Sequence, residues 1–166
     1  MNAKIGTLVC DANILIDYFD NNKNVLRSTT EHCYDIYVPY PVFDEVEQMK
    51  ESDAGKLGIR LIEPTFEQLL EAANDEGSLS SEDRLCFIIA RDNGWICATN
   101  EKSLRNKCKR ESVETIRGLK IMLELHALRK LSKQEAIDTA KKIKESNSRI
   151  TEGVIQDFCN ELERQK

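Results

Sequence analysis

The chain has 166 residues, with 24 Lys and Arg against 29 Asp and Glu and a formal charge of −5. Apolar residues make up 40% and charged residues 32%, which excludes a disordered acidic chain or a low-complexity linker; the length predicts one domain with a self-sufficient core. The negative balance excludes a protein that coats nucleic acid through net positive charge, and leaves room for a local basic patch.

Short apolar runs alternate with longer helical patterns, the mark of a parallel sheet with crossover helices. Leu8-Val9-Cys10 predicts a buried first strand, and 12–19 the helix after it. Ile36-Tyr37-Val38 predicts a second strand. Pro39 and Pro41 then punctuate the entry to a helix over 42–50, since proline is tolerated in a first turn. Ile59-Arg60-Leu61-Ile62 reads as a third strand, and Thr65-Phe66-Glu67-Gln68 as a capping box opening a helix that carries Leu69, Leu70 and Ala73. A loop is expected over 74–79. Ser80-Ser81-Glu82-Asp83 opens a strongly apolar helix through Asn93, stopped by Gly94. Trp95-Ile96-Cys97-Ala98 predicts a fourth strand, 101–107 a short helix, and Ser112-Val113-Glu114 an edge strand. Beyond Ile116 the pattern is helical: Leu119, Met122, Leu123 and Leu125 mark one helix, Ser132-x-x-Glu135 caps another, and Thr151 starts the last. The predicted architecture is a three-layer α/β/α sandwich with a mainly parallel sheet over 1–115, plus a helical C-terminal extension over 116–166 packed on the same domain.

Cys10, Cys33, Cys86, Cys97, Cys108 and Cys159 are scattered, and no pair has Cys-x-x-Cys spacing. Several sit in apolar runs, where a free thiol behaves as a small hydrophobe, so a core role in a reducing cytoplasm is expected. The first residues lack the apolar length of a signal peptide, and no run approaches the ~20 apolar residues of a membrane span. No membrane association is expected.

Ligands of open parallel sheets bind beyond the carboxyl ends of the strands. Asp11 directly follows the first strand, Glu45 lies about a turn into the helix after the second, and Asp83 opens the helix before the fourth. Thr99, Asn100 and Glu101 follow the fourth strand. Each acid has a bland alternative: Asp11 as a helix cap, Glu45 as a surface charge, Asp83 in a capping pattern, Glu101 favourable to a helix dipole. Jointly, four carboxylates at one sheet edge repel unless a cation neutralises them, and oxygen-only ligands favour Mg²⁺ or Mn²⁺. Such an ion activates water and stabilises a pentacovalent phosphate.

The stretch from Val9 to Asp17, with Asp11-Ala12-Asn13, resembles the opening of a PIN domain. The run from Leu79 to Arg105, with Asp83, Gly94, Thr99-Asn100-Glu101 and Leu104-Arg105, is similar to that family's second block, and Pro41-Val42-Phe43-Asp44-Glu45-Val46 to its intervening acidic helix. The resemblance covers about residues 5–108. It implies a metal-dependent endoribonuclease acting on single-stranded RNA. Asp11, Asp83 and Glu101 would hold Mg²⁺ or Mn²⁺, and Glu45 would complete the catalytic acids. Asn13, Thr99 and Asn100 match polar positions beside those acids, of which Asn13 and Thr99 would orient the first and last acids by hydrogen bonds. Glu101 is a departure, standing where the family has Asp and shifting the ligand by about a C–C bond. Small prokaryotic members resemble the toxins of toxin–antitoxin pairs, which implies an antitoxin partner and a homodimer. The basic segment Lys102, Arg105, Lys107, Lys109 and Arg110 is a candidate for binding RNA phosphates, with a solvated basic face as the alternative.

Two other Asp-after-strand folds fit less well. A haloacid-dehalogenase-like phosphatase needs a second Asp where Asn13 stands, and a receiver domain needs an Asp after strand three, where Glu63-Pro64 stands. The remaining rival is a PIN-like module that binds nucleic acid or protein without catalysis.

Overall fold

A computed structural model describes residues 3–74 and 77–165, so the loop expected over 74–79 lies partly outside the described residues. Five parallel strands form one sheet in the order β3-β2-β1-β4-β5: β1 (Gly6–Cys10), β2 (Tyr34–Pro39), β3 (Arg60–Ile62), β4 (Ile96–Ala98) and β5 (Thr115–Ile116). Ten helices accompany them among the described residues. They are α1 (Ala12–Asn21), α2 (Lys23–His32), α3 (Tyr40–Phe43), α4 (Glu51–Lys56), α5 (Phe66–Asn74), α6 (Ser81–Asn93), α7 (Lys102–Arg110), α8 (Gly118–Ala127), α9 (Lys133–Ser146) and α10 (Glu152–Arg164). The result is an α/β/α sandwich. Helix α6 lies across β1, β2 and β4, whereas α2 packs on β2 and carries α8 behind it; α9 rests on α1, and α10 on α8 and α9.

The central strand β1 is buried from Leu8 to Cys10, as its unbroken apolar run requires of a parallel strand covered on both faces. Helix α6 is equally apolar and buried from Arg84 to Ala90; it ends at Gly94, whose φ of +68° closes the helix in the left-handed region. All six cysteines are free thiols and five are buried, with burial pushing Cys10 and Cys86 well above the ordinary thiol range. Held protonated in this way, neither serves as a nucleophile. No described helix is long and apolar enough to cross a membrane.

Four expectations are corrected. The helix expected over 42–50 is instead the four-residue α3, followed by turns and then α4. The buried residues Phe43, Val46 and Met49 recur every three positions, and the N–H groups of Val46 and Met49 donate three residues back to Phe43 and Val46. That is the tighter winding of short 3₁₀ turns, not α-helix. The chain re-enters a helix at Lys50, whose N–H donates to the Asp53 carboxylate at 2.9 Å. Glu45 accordingly sits in a turn and not in a helix. The edge strand expected at 112–114 begins instead at Thr115, because Ser112 has a φ of +59° and Val113 N–H still donates to Cys108 O at 2.8 Å, closing α7. Helix α7 starts at Lys102 and runs on to Arg110, beyond the expected 101–107. Helix α2 had no expectation at all. Its buried face is Val25, Leu26, Thr29 and Thr30, and the two threonines are buried because their hydroxyls donate to Val25 O and Leu57 O, each at 2.6 Å.

That threonine contact also makes Gly58 demanding. Its φ is +78°, and a Cβ there would lie 2.5 Å from Thr30 Oγ1. Gly58→Ala is expected to cost about 3 kcal/mol, combining a left-handed backbone with an overpacked neighbour. Urea unfolding should show a lower midpoint with an unchanged slope.

Candidate active site

The sheet order reverses at β1, between β2 and β4, and the crevice at the carboxyl ends of these strands is where an open parallel sheet presents a ligand site. Asp11 stands there. Its N–H donates to Ala98 O at 3.1 Å, tying it to the end of β4. Its carboxylate caps α1, with Oδ1 accepting from Ile14 N–H at 2.9 Å, and Oδ2 accepts from the Thr99 hydroxyl at 2.5 Å. That hydroxyl in turn accepts from Glu101 N–H at 3.0 Å, which leaves its proton directed at Asp11. Thr99 thus links the first and last acids through one oxygen. Burial is the dominant influence on Asp11, raising its pKa from 3.8 to about 6 against the two hydrogen bonds that lower it, with Asp83 and Asp17 adding repulsion.

Asp83 sits in the first turn of α6, its N–H donating to the Ser80 hydroxyl at 3.1 Å. The cap and the carboxylate therefore coexist, and the capping alternative does not displace the other. Asp83 is raised by burial and then by Glu101, while Ser80 and Arg149 oppose the shift. Glu45 is exposed, yet it is raised by partial burial and by Glu82 and Asp83. The four predicted acids consequently share one electrostatic environment centred on Asp83. Among the described residues, however, no three carboxylate, imidazole or thiol side chains stand close enough to hold one ion. Glu101 is paired instead with a base, its Oε2 lying 2.5 Å from Arg149 Nη2.

The polar neighbours separate in role. Asn100 Oδ1 accepts from Gly118 N–H at 2.9 Å, fastening the end of β4 to the start of α8. Asn13 is exposed and lines a cleft of about 290 Å³ with Ile16, Asp17, Asp20 and residues 146–149; Asp11 is oriented by Thr99 and Ile14. The basic residues of α7 divide between two faces. Lys102 is exposed, and Arg105 is half-buried, its buried Nε without a hydrogen-bond partner among the described residues. Burial, then the Arg117 guanidinium, pushes Arg105 below the ordinary arginine range. Lys107 instead sits 5.2 Å from the Phe87 ring centre and lines a separate cleft of about 220 Å³ with Ser103, Asn106, Arg110 and residues 77–79.

Four residues of consequence were given no role from the sequence. Asp17 is buried on α1 and accepts from Asn147 Nδ2 at 2.8 Å, and Arg149 follows two residues later. An acid inside Ile14-Leu15-Ile16-Asp17-Tyr18 was a visible anomaly; its partners 130 and more residues away were not. Arg84, 8% exposed, donates to Ala72 O at 2.6 Å and to Leu79 O, fastening the start of α6 beside Asp83.

The donor set is oxygen-only, mutually repelling and short of positive charge, which in chemistry fits a hard divalent cation.

No protein-family model and no curated protein matches the chain. Solved structures do match. One is a PilT N-terminus domain protein from the hyperthermophilic archaeon Sulfolobus solfataricus P2, similar at a TM-score of 0.55 and 14% identity over 71% of this chain and 92% of that one. A likeness at this identity concerns the fold. Together with the all-parallel five-stranded sheet, it shows that this chain has the fold of the PilT N-terminus (PIN) domain.

Proposed function

We propose that the protein is a metal-dependent endoribonuclease acting on single-stranded RNA. The observation that carries this reading is the electrostatic gathering of Asp11, Glu45, Asp83 and Glu101 at the sheet's switch point, with burial and mutual repulsion raising Asp11, Asp83 and Glu45 together. Acids that disfavour their own ionisation are a functional-site signature, and a divalent cation is what such a set lacks.

Asp11, Asp83 and Glu101 would hold Mg²⁺ or Mn²⁺. When bound, such an ion supplies Lewis acidity to a phosphodiester and acidifies water. The chain's own part follows from its geometry. Thr99 keeps the Asp11 carboxylate fixed, which removes a rotamer cost from ligation. Glu45, in its exposed turn, is free to accept a proton from an attacking water or to orient it. Arg105, half-buried beside Arg117, adds positive charge near the rim that is suited to a flanking phosphate. Arg105→Ala is expected to weaken single-stranded RNA binding and to reduce the slope of log affinity against log salt by roughly one charge. Lys107→Ala, on the other face of α7, is expected to do less. Fluorescence anisotropy across a salt series measures both.

The reading extends to a protein partner, an antitoxin or a second copy, for which the exposed Phe66, Leu69 and Leu70 of α5 offer apolar surface. The second reading, a PIN-like module without catalysis, is favoured by one observation, the Glu101–Arg149 pair. Incubation of labelled single-stranded RNA with Mg²⁺, Mn²⁺ or EDTA separates the two. Fragments that need the ion support the nuclease, and intact RNA under every condition supports the module.

A further inference from the structure

Residues 147–151 join α9 to α10 and bring the far end of the chain to the acidic rim. The segment is fastened at three points. Asn147, only 8% exposed, donates to Asp17 Oδ2 at 2.8 Å. The same side chain accepts from Arg149 N–H at 2.9 Å through Oδ1, and Ile150 is buried in the core. This turn aims the Arg149 guanidinium back at Glu101, 2.5 Å away. The guanidinium also lowers Asp83 and Asp17 against the burial that raises them, so its field reaches beyond its direct partner. A single arginine therefore stands as counter-charge to acids contributed by α1, by α6 and by the segment after β4.

We propose that Arg149 is a built-in counter-ion of the acidic rim, and that its pairing with Glu101 and the binding of a divalent cation exclude one another. The proposal rests on the cation-site reading above. Glu101 has one carboxylate, and that carboxylate is turned to Arg149 in a rim where, among the described residues, no three side chains stand close enough to chelate an ion. The side chains of Arg149 and Glu101 remain 44% and 28% exposed, so the pair is in the range where ion pairs form and release readily. The latch consequently tunes the rim's affinity and does not abolish it. Arg149 is supplied by the C-terminal helical segment, so anything that shifts α9 against α10 changes the ion affinity of a site built on the sheet.

Calorimetric titration of the full chain with MnCl₂ tests this. Arg149→Gln is expected to bind Mn²⁺ about fivefold more tightly than the parent, as the loss of one exposed ion pair and one repelling charge implies. Asn147→Ala, which releases the turn, should shift affinity the same way, and Arg149→Lys should stay close to the parent. Equal affinity in the parent and Arg149→Gln overturns the latch and leaves the cation site standing. Absence of Mn²⁺ binding in every variant overturns both. A readout in the unaltered protein is the Arg149 ¹⁵Nε–¹H resonance during Mg²⁺ titration. It should move to the position of a free arginine as the ion binds, and a resonance that stays fixed during binding overturns the proposal.

Discussion

Asp11→Asn is expected to abolish cleavage and, at neutral pH, to make the fold more stable. Asp11 is 3% exposed with its pKa raised to about 6, above the 3.8 of the unfolded chain. Between those values the native state still holds a proton that the unfolded state has released. Stability therefore falls as pH rises through this window and levels off above about 6. The full cost is about 3 kcal/mol. Asparagine carries no charge to bury and removes that cost. It also offers one acceptor where Asp11 uses two, for Ile14 N–H and the Thr99 hydroxyl, which returns about 1 kcal/mol. The variant should gain about 2 kcal/mol at pH 7.5 and lose the advantage at pH 4. Urea unfolding at the two pH values reads the crossing. Cleavage by the parent should rise through the same window, because only the carboxylate ligates a cation. Loss of a ligand should exceed the 10- to 100-fold seen on losing a group that merely orients one, so the variant's rate should fall by at least about a hundredfold.

Arg84→Met is expected to cost about 3 kcal/mol and to lower cleavage without any contact to RNA. Among the described residues, the guanidinium's hydrogen-bond partners are all backbone carbonyls, with Nε donating to Ala72 O at 2.6 Å and Nη1 to Leu79 O and, at 3.5 Å, to Gly77 O. Methionine fills much of the volume and leaves those acceptors without their donor, at about 1–3 kcal/mol for each buried group. Arg84→Lys keeps the charge but not the planar fork, and should recover only part of the loss. The functional effect follows from place: Arg84 fixes the entry to α6 one residue from Asp83. Urea midpoints for the three proteins test the ranking, and equal stability of parent and Arg84→Met would contradict it.

What was legible in the sequence is what short-range chemistry encodes. The apolar run of β1, the Thr65–Gln68 box, the Ser80, Ser132 and Thr151 caps and the Gly94 stop all stand where the pattern placed them. Helix α2 was invisible because Thr29 and Thr30 act as apolar residues only after their hydroxyls find carbonyl partners, one of them on Leu57. The segment around Glu45 was misread because Phe43, Val46 and Met49 sit near enough to helical spacing to imitate it. At the rim, Asp11, Asp83 and Thr99 were named from their places after strands and at a helix start. Their couplings to Asn147 and Arg149 depend on how α9 and α10 return over α1, which no local pattern carries. The basic patch was read as one surface, and the helical turn of α7 splits it between Arg105 and Lys107.

On the proposed reading, the acids at the β1–β4 crevice direct water at a phosphodiester with the help of a divalent cation. The most direct measurement compares the parent and Asp11→Asn on end-labelled single-stranded RNA with Mn²⁺, and identifies the new termini. Fragments are expected from the parent alone, lost with EDTA, and bearing no 2′,3′-cyclic phosphate because water and not the ribose hydroxyl attacks. Cutting by Asp11→Asn at the parent's rate, or cyclic phosphate ends, would contradict it.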